Sequence, residues 1–150
     1  MQWLKNAMEE IAVNNDAQRD DEKRWFEAAV AGDQKAIEQM LKLGIDVNAV
    51  DATTSTALHY ATKHGHLTIM RLLIEHGADL HALNQRLSTP LHLTEKNIDA
   101  IRILLEAGAD PNLKDADYDY PYYYAFYGSM PREIAELYIK HGANLMLFDK

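Results

Sequence analysis

Seven histidines are the residues of this chain best suited to hold a metal or to move a proton near neutral pH. His64 and His66 stand two apart and His81 follows, yet the chain has no cysteine and sets no carboxylate cluster at ligand spacing beside them. His76 and His141 each precede a glycine, near helix C-termini, where a cation is favoured. The acidic pairs Glu9–Glu10 and Asp20–Asp21 are sequence neighbours, so on a helix they diverge and read as solvated surface. The sequence has no G-x-S-x-G, no phosphate-cradling glycine loop and no thiol. The expectation is a chain that is not an enzyme and takes no cofactor and no metal.

What remains is recognition chemistry. The stretch DYDYPYYYAFYG at 117–128 holds six of the eight tyrosines. A tyrosine ring buries well, but its hydroxyl needs a partner when buried and it is enriched at interfaces. The cluster therefore reads either as framework or as binding surface. With 150 residues, 47% of them hydrophobic, the chain suits one domain with a core. A net charge of -8, with no local basic stripe, repels nucleic acid and anionic lipid. No apolar run reaches the about 18 residues of a membrane span, and acidic residues interrupt MQWLKNAMEEIAV where a signal peptide is apolar. The expected location is cytoplasmic, or a host cell if the chain is a delivered effector.

The elements that position these residues come from internal repetition. Gly44, Gly77, Gly108 and Gly142 close the phrases LKLGIDVN, IEHGADLH, LEAGADPN and IKHGANLM, spaced 33, 31 and 34 apart. TALHYA at 56–61 returns as TPLHLT at 89–94 and, loosely, as YPYYYA at 120–125. WFEAAVAGDQKAIEQMLKLG at 25–44 overlays LHYATKHGHLTIMRLLIEHG at 58–77 without a gap. Thr56 and Thr89 precede apolar runs as helix caps do, and Ile69, Leu72 and Leu73 give a second helix one buried stripe. Each unit is a helical hairpin that cannot bury its apolar face alone, whereas a stack can.

These phrases closely resemble the ankyrin repeat family, whose unit carries T-P-L-H, a Gly-His turn and Gly-Ala-Asp. The resemblance covers residues 23–150 and implies an all-α solenoid with repeats near 23–50, 51–83, 84–114 and 115–150. It also implies that His59 and His92 bridge neighbouring turns. Thr54, Leu87 and Tyr118 stand where the family usually has glycine, so those loops carry backbone strain or, as the preferred reading, are reshaped. Repeat three is two residues shorter before its second helix and lacks the Gly-His turn, which predicts a tighter junction. In repeat four, Tyr120, Tyr122 and Tyr123 stand at the Thr, Leu and His positions, and rings there should distort the unit.

Ahead of the repeats, Trp3, Leu4, Ala7, Met8, Ile11 and Ala12 form one helical face. NND at 14–16 is expected to end that helix and QRDDEKR to be a connector or a polar first turn, with 1–22 covering the open end of the stack. A partner-docking helix is the other reading. The family's recognition positions, carried over residue by residue, are Thr53, Ser55, Lys63 and His64; Arg86, Ser88 and Lys96; and Asp117, Asp119 and Tyr127, with Tyr118 second. They imply a monomer that binds a protein through its concave groove and turn fingertips, as adaptor, inhibitor or immunity or effector-type regulator. The alternative is an oligomerisation unit built on the N-terminal helix or on the apolar C-terminus, where Leu145, Leu147 and Phe148 are expected to fold back.

Overall fold

The computed structural model describes residues 1–126, 129 and 131–145. Among the described residues all regular structure is helical: α1 (Gln2–Ala31), α2 (Gln34–Lys42), α3 (Ala57–Lys63), α4 (Leu67–Glu75), a 3₁₀ turn (Pro90–Leu93), α5 (Ile98–Glu106), α6 (Pro121–Phe126) and α7 (Arg132–Lys140). They stack in two rows. The C-terminal part of α1, α3, the 3₁₀ turn and α6 touch in sequence as an inner row, and α2, α4, α5 and α7 as an outer row. Between the rows lies one continuous core, with Trp25, Ile37, Leu58, Met70, Leu91, Leu104, Tyr122 and Tyr138 fully buried. Ile69 and Leu73 join it, while Leu72 is half-buried.

The helix starts follow from their caps. Thr56 Oγ1 accepts the His59 N–H while the His59 ring accepts the Thr56 N–H, a reciprocal box with histidine in the usual Glu or Gln place. Thr89 and His92 repeat it at the 3₁₀ turn. Asp33 and Asn97 cap α2 and α5 through the N–H groups of Ala36 and Ala100, at 3.0 and 3.1 Å. The shortened third repeat has the expected tight junction. Four residues of 3₁₀ helix replace an α-helix, and Glu95, left-handed at φ 49°, turns the chain.

Two expectations are corrected here. α1 runs unbroken for 30 residues, so 14–16 does not end a helix and QRDDEKR is no connector. Asn and Asp are weak helix formers, but neither breaks a helix as glycine or proline does, and Arg19–Asp16, Arg24–Asp21 and Lys23–Glu27 sit at helical spacing along the segment. Nor does the N-terminal stripe cover the stack: Trp3, Met8 and Ile11 are 71%, 64% and 60% exposed. The arm crosses the 43–49 loop at Asn14, Gln18 and Asp21, over a cleft of about 500 Å³. Deleting residues 1–13 should therefore leave the melting temperature within about 2 °C of the full chain, because exposed side chains contribute little. A larger fall in a thermal melt would restore the capping role.

At the other end, α7 shows Arg132, Glu133, Glu136 and Lys140 to solvent as expected, and Leu145 packs half-buried on the core. Leu147 and Phe148 lie outside the described residues.

Candidate functional site

Three hairpin loops, at 51–55, 84–88 and 115–119, project beside the inner row like fingers. Each is built around one acceptor. Asp51 Oδ1 takes the N–H of Thr53 and Ser55 at 2.8 and 3.0 Å. Asn84 Oδ1 takes those of Arg86 and Ser88 at 2.9 and 3.1 Å. Asp115 Oδ1 takes those of Asp117 and Asp119 at 2.9 and 3.1 Å. Backbone pairs close every loop, Ser55 O, Ser88 O and Asp119 O accepting from the N–H of the acceptor residue itself. The fourth residue is left-handed in all three: Thr54, Leu87 and Tyr118 have φ of 55°, 54° and 64°. The loops therefore keep the glycine geometry and carry the strain; they are not reshaped, because the acceptor over-determines the turn.

Neighbouring fingers are tied together. The Gln85 N–H donates to Thr53 O and the Ala116 N–H to Arg86 O, at 3.0 and 2.8 Å. Gln85 Nε2 adds a bond to Ala52 O at 2.8 Å, and Arg86 reaches the Asp117 carboxylate at 2.5 Å. Beneath them His59 Nε2 meets Ser88 O at 3.0 Å and His92 Nε2 meets Asp119 O at 3.2 Å. Both rings thus hold the bridging role between turns. With Nδ1 accepting the Thr56 or Thr89 N–H, each imidazole is the neutral tautomer that carries its proton on Nε2.

Fingers and inner row enclose a groove of about 480 Å³, lined from repeats two to four. Thr53, Ser55, Lys63, Arg86 and Ser88 line it among the anticipated positions. Lys63 also borders an adjoining hollow of about 300 Å³ with His64 and Lys96. Asp117, Tyr118 and Asp119 line neither. Ser55 and Ser88 are 7% and 5% exposed, held at the base of their fingers by the bonds above, so they offer a partner almost nothing. Tyr127 lies outside the described residues.

The groove also contains residues that carry-over missed. Tyr60 donates its hydroxyl to Asp51, and Tyr124 donates to Asp115 at 2.6 Å, the same pair two repeats apart; Leu93 takes the place between them. Burial would raise the Asp51 and Asp115 carboxyls, but hydroxyl bonds, from Thr53 and then Tyr60 at Asp51 and from Tyr124 at Asp115, outweigh it with the backbone N–H bonds and hold both below the ordinary value. Tyr124 is pushed up to about 12, first by its bond to Asp115 and then by burial. Asp51 and Asp115 are thus carboxylates engaged by hydroxyl and N–H donors. The surface offers hydrogen bonds, ring edges and the exposed cation of Lys63, which is the chemistry of recognition.

The tyrosine cluster divides. Tyr122 is fully buried, donates to Asn144 O at 2.9 Å, and meets Tyr120 and Tyr138 ring to ring. It fills the leucine position as core. Tyr118, by contrast, is 78% exposed.

A family model described as ankyrin repeats matches residues 25–115 in three copies. The chain belongs to the ankyrin repeat family. Repeats of this family are protein–protein interaction modules. The chain is similar to Inversin of Mus musculus, 29% identical over 154 residues that cover 97% of this chain and 14% of Inversin. Palmitoyltransferase Hip14 of Drosophila melanogaster is 36% identical over 84 residues, 54% of this chain and 13% of that protein. Ankyrin repeat-containing protein P1E11.10 of Schizosaccharomyces pombe is 32% identical over 93 residues, 62% and 44% of the two chains. The chain thus matches only a small part of the first relatives' length. Among the described residues, no helix of this ankyrin protein is long and apolar enough to cross a membrane, and no three His, Cys, Asp or Glu side chains gather as a metal site.

Proposed function

We propose that this ankyrin protein is a non-catalytic binding module that holds a segment of another protein in the groove between fingers and inner helices. The observation that supports it most is the groove itself, built from consecutive repeats with Lys63 and Glu95 exposed at its wall and the finger carboxylates Asp51 and Asp115 engaged by Tyr60 and Tyr124. Adaptor, inhibitor and immunity or effector-type regulator all use such a surface, and the setting we favour is the cytosol, or a host cell for a delivered effector. Charge reversal Lys63→Glu should weaken a purified partner by about tenfold, while the melting temperature holds because the side chain is exposed. Unchanged affinity would sink the reading.

A second reading has one observation of its own. The bare stripe of Trp3, Leu4, Met8 and Ile11 supports association of copies through α1. Light-scattering mass across a concentration series separates it from the first, since the arm would be the only part whose deletion returned a monomer. The apolar C-terminus invoked for the same role lies largely outside the described residues.

A further inference from the structure

The bare stripe on α1 belongs neither to the core nor to the groove. By helical spacing, Leu4 and Ile11 lie on the same side of α1 as Trp25 and Ala29, which enter the core. The core-facing side of the helix thus runs on past the stack and leaves Trp3, Leu4, Met8 and Ile11 exposed. The arm is helical before it meets anything, because its packed half already nucleates the helix.

Reversed end to end, the stripe fits itself. Trp3, Leu4, Ala7, Met8, Ile11 and Ala12 are spaced symmetrically about the point between residues 7 and 8. Set antiparallel on a second copy, Trp3 comes level with Ala12, Met8 with Ala7 and Leu4 with Ile11, so each large side chain comes beside a small one or one of its own size. Lys5 comes level with Glu10, and the two helix dipoles oppose. A parallel pairing would instead set Trp3 on Trp3, Ala7 on Ala7 and the Glu9–Glu10 pair on its own like. The antiparallel one also leaves room for both stacks. The stripe ends at Ala12, whereas the cleft with the 43–49 loop begins at Asn14, so each stack lies outside the overlap.

We propose that the occupant of the stripe is the same stripe of a second copy, paired antiparallel about a two-fold axis between residues 7 and 8, so that the dimer carries a binding stack at each end. The inference rests on the association reading above and fixes its geometry. An overlap of residues 3–12 is well short of the about 20–30 residues a side of a standard interface, so the pair forms above roughly 10 µM and a dilute melt reads the single chain.

Mixing full-length Leu4→Cys with full-length Ile11→Cys in a glutathione redox buffer tests the register, since the chain holds no other cysteine. The mixed disulfide should exceed either symmetric one about tenfold, against about twofold for random pairing. Adding Met8→Glu to both variants should abolish that excess without lowering the melting temperature, because Met8 is exposed. Symmetric disulfides in excess would overturn the antiparallel pair while leaving association of copies intact. A random ratio, or an excess indifferent to Met8→Glu, would overturn the stripe as the contact. A light-scattering mass that stays monomeric up to about 500 µM would overturn the pair and the association reading together, and leave the groove reading untouched.

Discussion

Replacing His59 by alanine should lower the stability of the fold by about 3 kcal/mol, the sum of one buried donor left unpaired, a second bond lost and a cavity in place of the ring. The ring is 1% exposed, so water is poorly placed to substitute. Its loss strands the Thr56 N–H, bonded at 3.1 Å, takes from Ser88 O the bond at 3.0 Å while the Asn84 N–H stays, and removes the buried tie between one finger and the next. Denaturant unfolding of the variant measures the effect, and a loss under about 1 kcal/mol would mean that the finger stands without the bridge.

The same geometry predicts a pH dependence. Burial pushes the His59 and His92 imidazoles down, against the raising effect of the carbonyls they bond, Ser88 O and Asp119 O first. Both are bases whose folded pKa lies below the unfolded one, so the unfolded chain takes up protons first as pH falls. Stability is complete above the unfolded value of about 6.5 and declines as pH falls from there through the folded values. Asp51 and Asp115 are depressed carboxyls, and their contribution is complete above about pH 4 and lost only as pH falls below it. Melting curves should thus show two separate losses, the first already in mildly acidic buffer. In His59→Ala the first should shrink.

Asp51→Ala should destabilise by about 2 kcal/mol, because it removes the acceptor of four donors in a partly exposed loop. Those donors are the Thr53 and Ser55 N–H groups, the Thr53 hydroxyl at 2.7 Å and the Tyr60 hydroxyl. Without the acceptor nothing compels Thr54 to stay left-handed. Adding Thr54→Gly to Asp51→Ala should therefore recover about 1 kcal/mol, the left-handed penalty less the entropy of glycine. Asp51→Asn should lose little, since Asn84 already does this work in the next repeat. Equal losses in Asp51→Asn and Asp51→Ala would show that charge, rather than the acceptor oxygen, holds the finger.

The repeat architecture was legible because its signals are local and recur in phase: a threonine cap before an apolar run, a glycine after the second helix, and a spacing near 33. The finger conformation was half legible. The odd residues at 54, 87 and 118 marked the right places, but the reading toward reshaped loops overlooked the acceptors in DATTS, NQRLS and DADYD, which stand four residues ahead of each finger's base. Ser55 and Ser88 were named as contacts because they lie in turns; the acceptor bonds that bury them connect residues across the loop, which spacing from a family pattern does not reveal. The length of α1 was missed for a different reason. Three weak helix formers in a row look like a stop until the ion pairs at 16, 19, 21 and 24 are counted with them. Among the tyrosines, burial depends on which neighbours stack, Tyr122 on Tyr138 for one, and only the fold brings those two together.

The central claim is that the groove face, and not the back of the stack, holds a protein. A photo-crosslinking amino acid placed in turn at Lys63, Arg86, Arg71 and Glu106 of the full chain in its native cell tests it directly, the last two being exposed on the outer helices α4 and α5. The account predicts one shared partner captured from Lys63 and Arg86 and not from Arg71 or Glu106. Capture from the outer positions alone, or equally from all four, would contradict it.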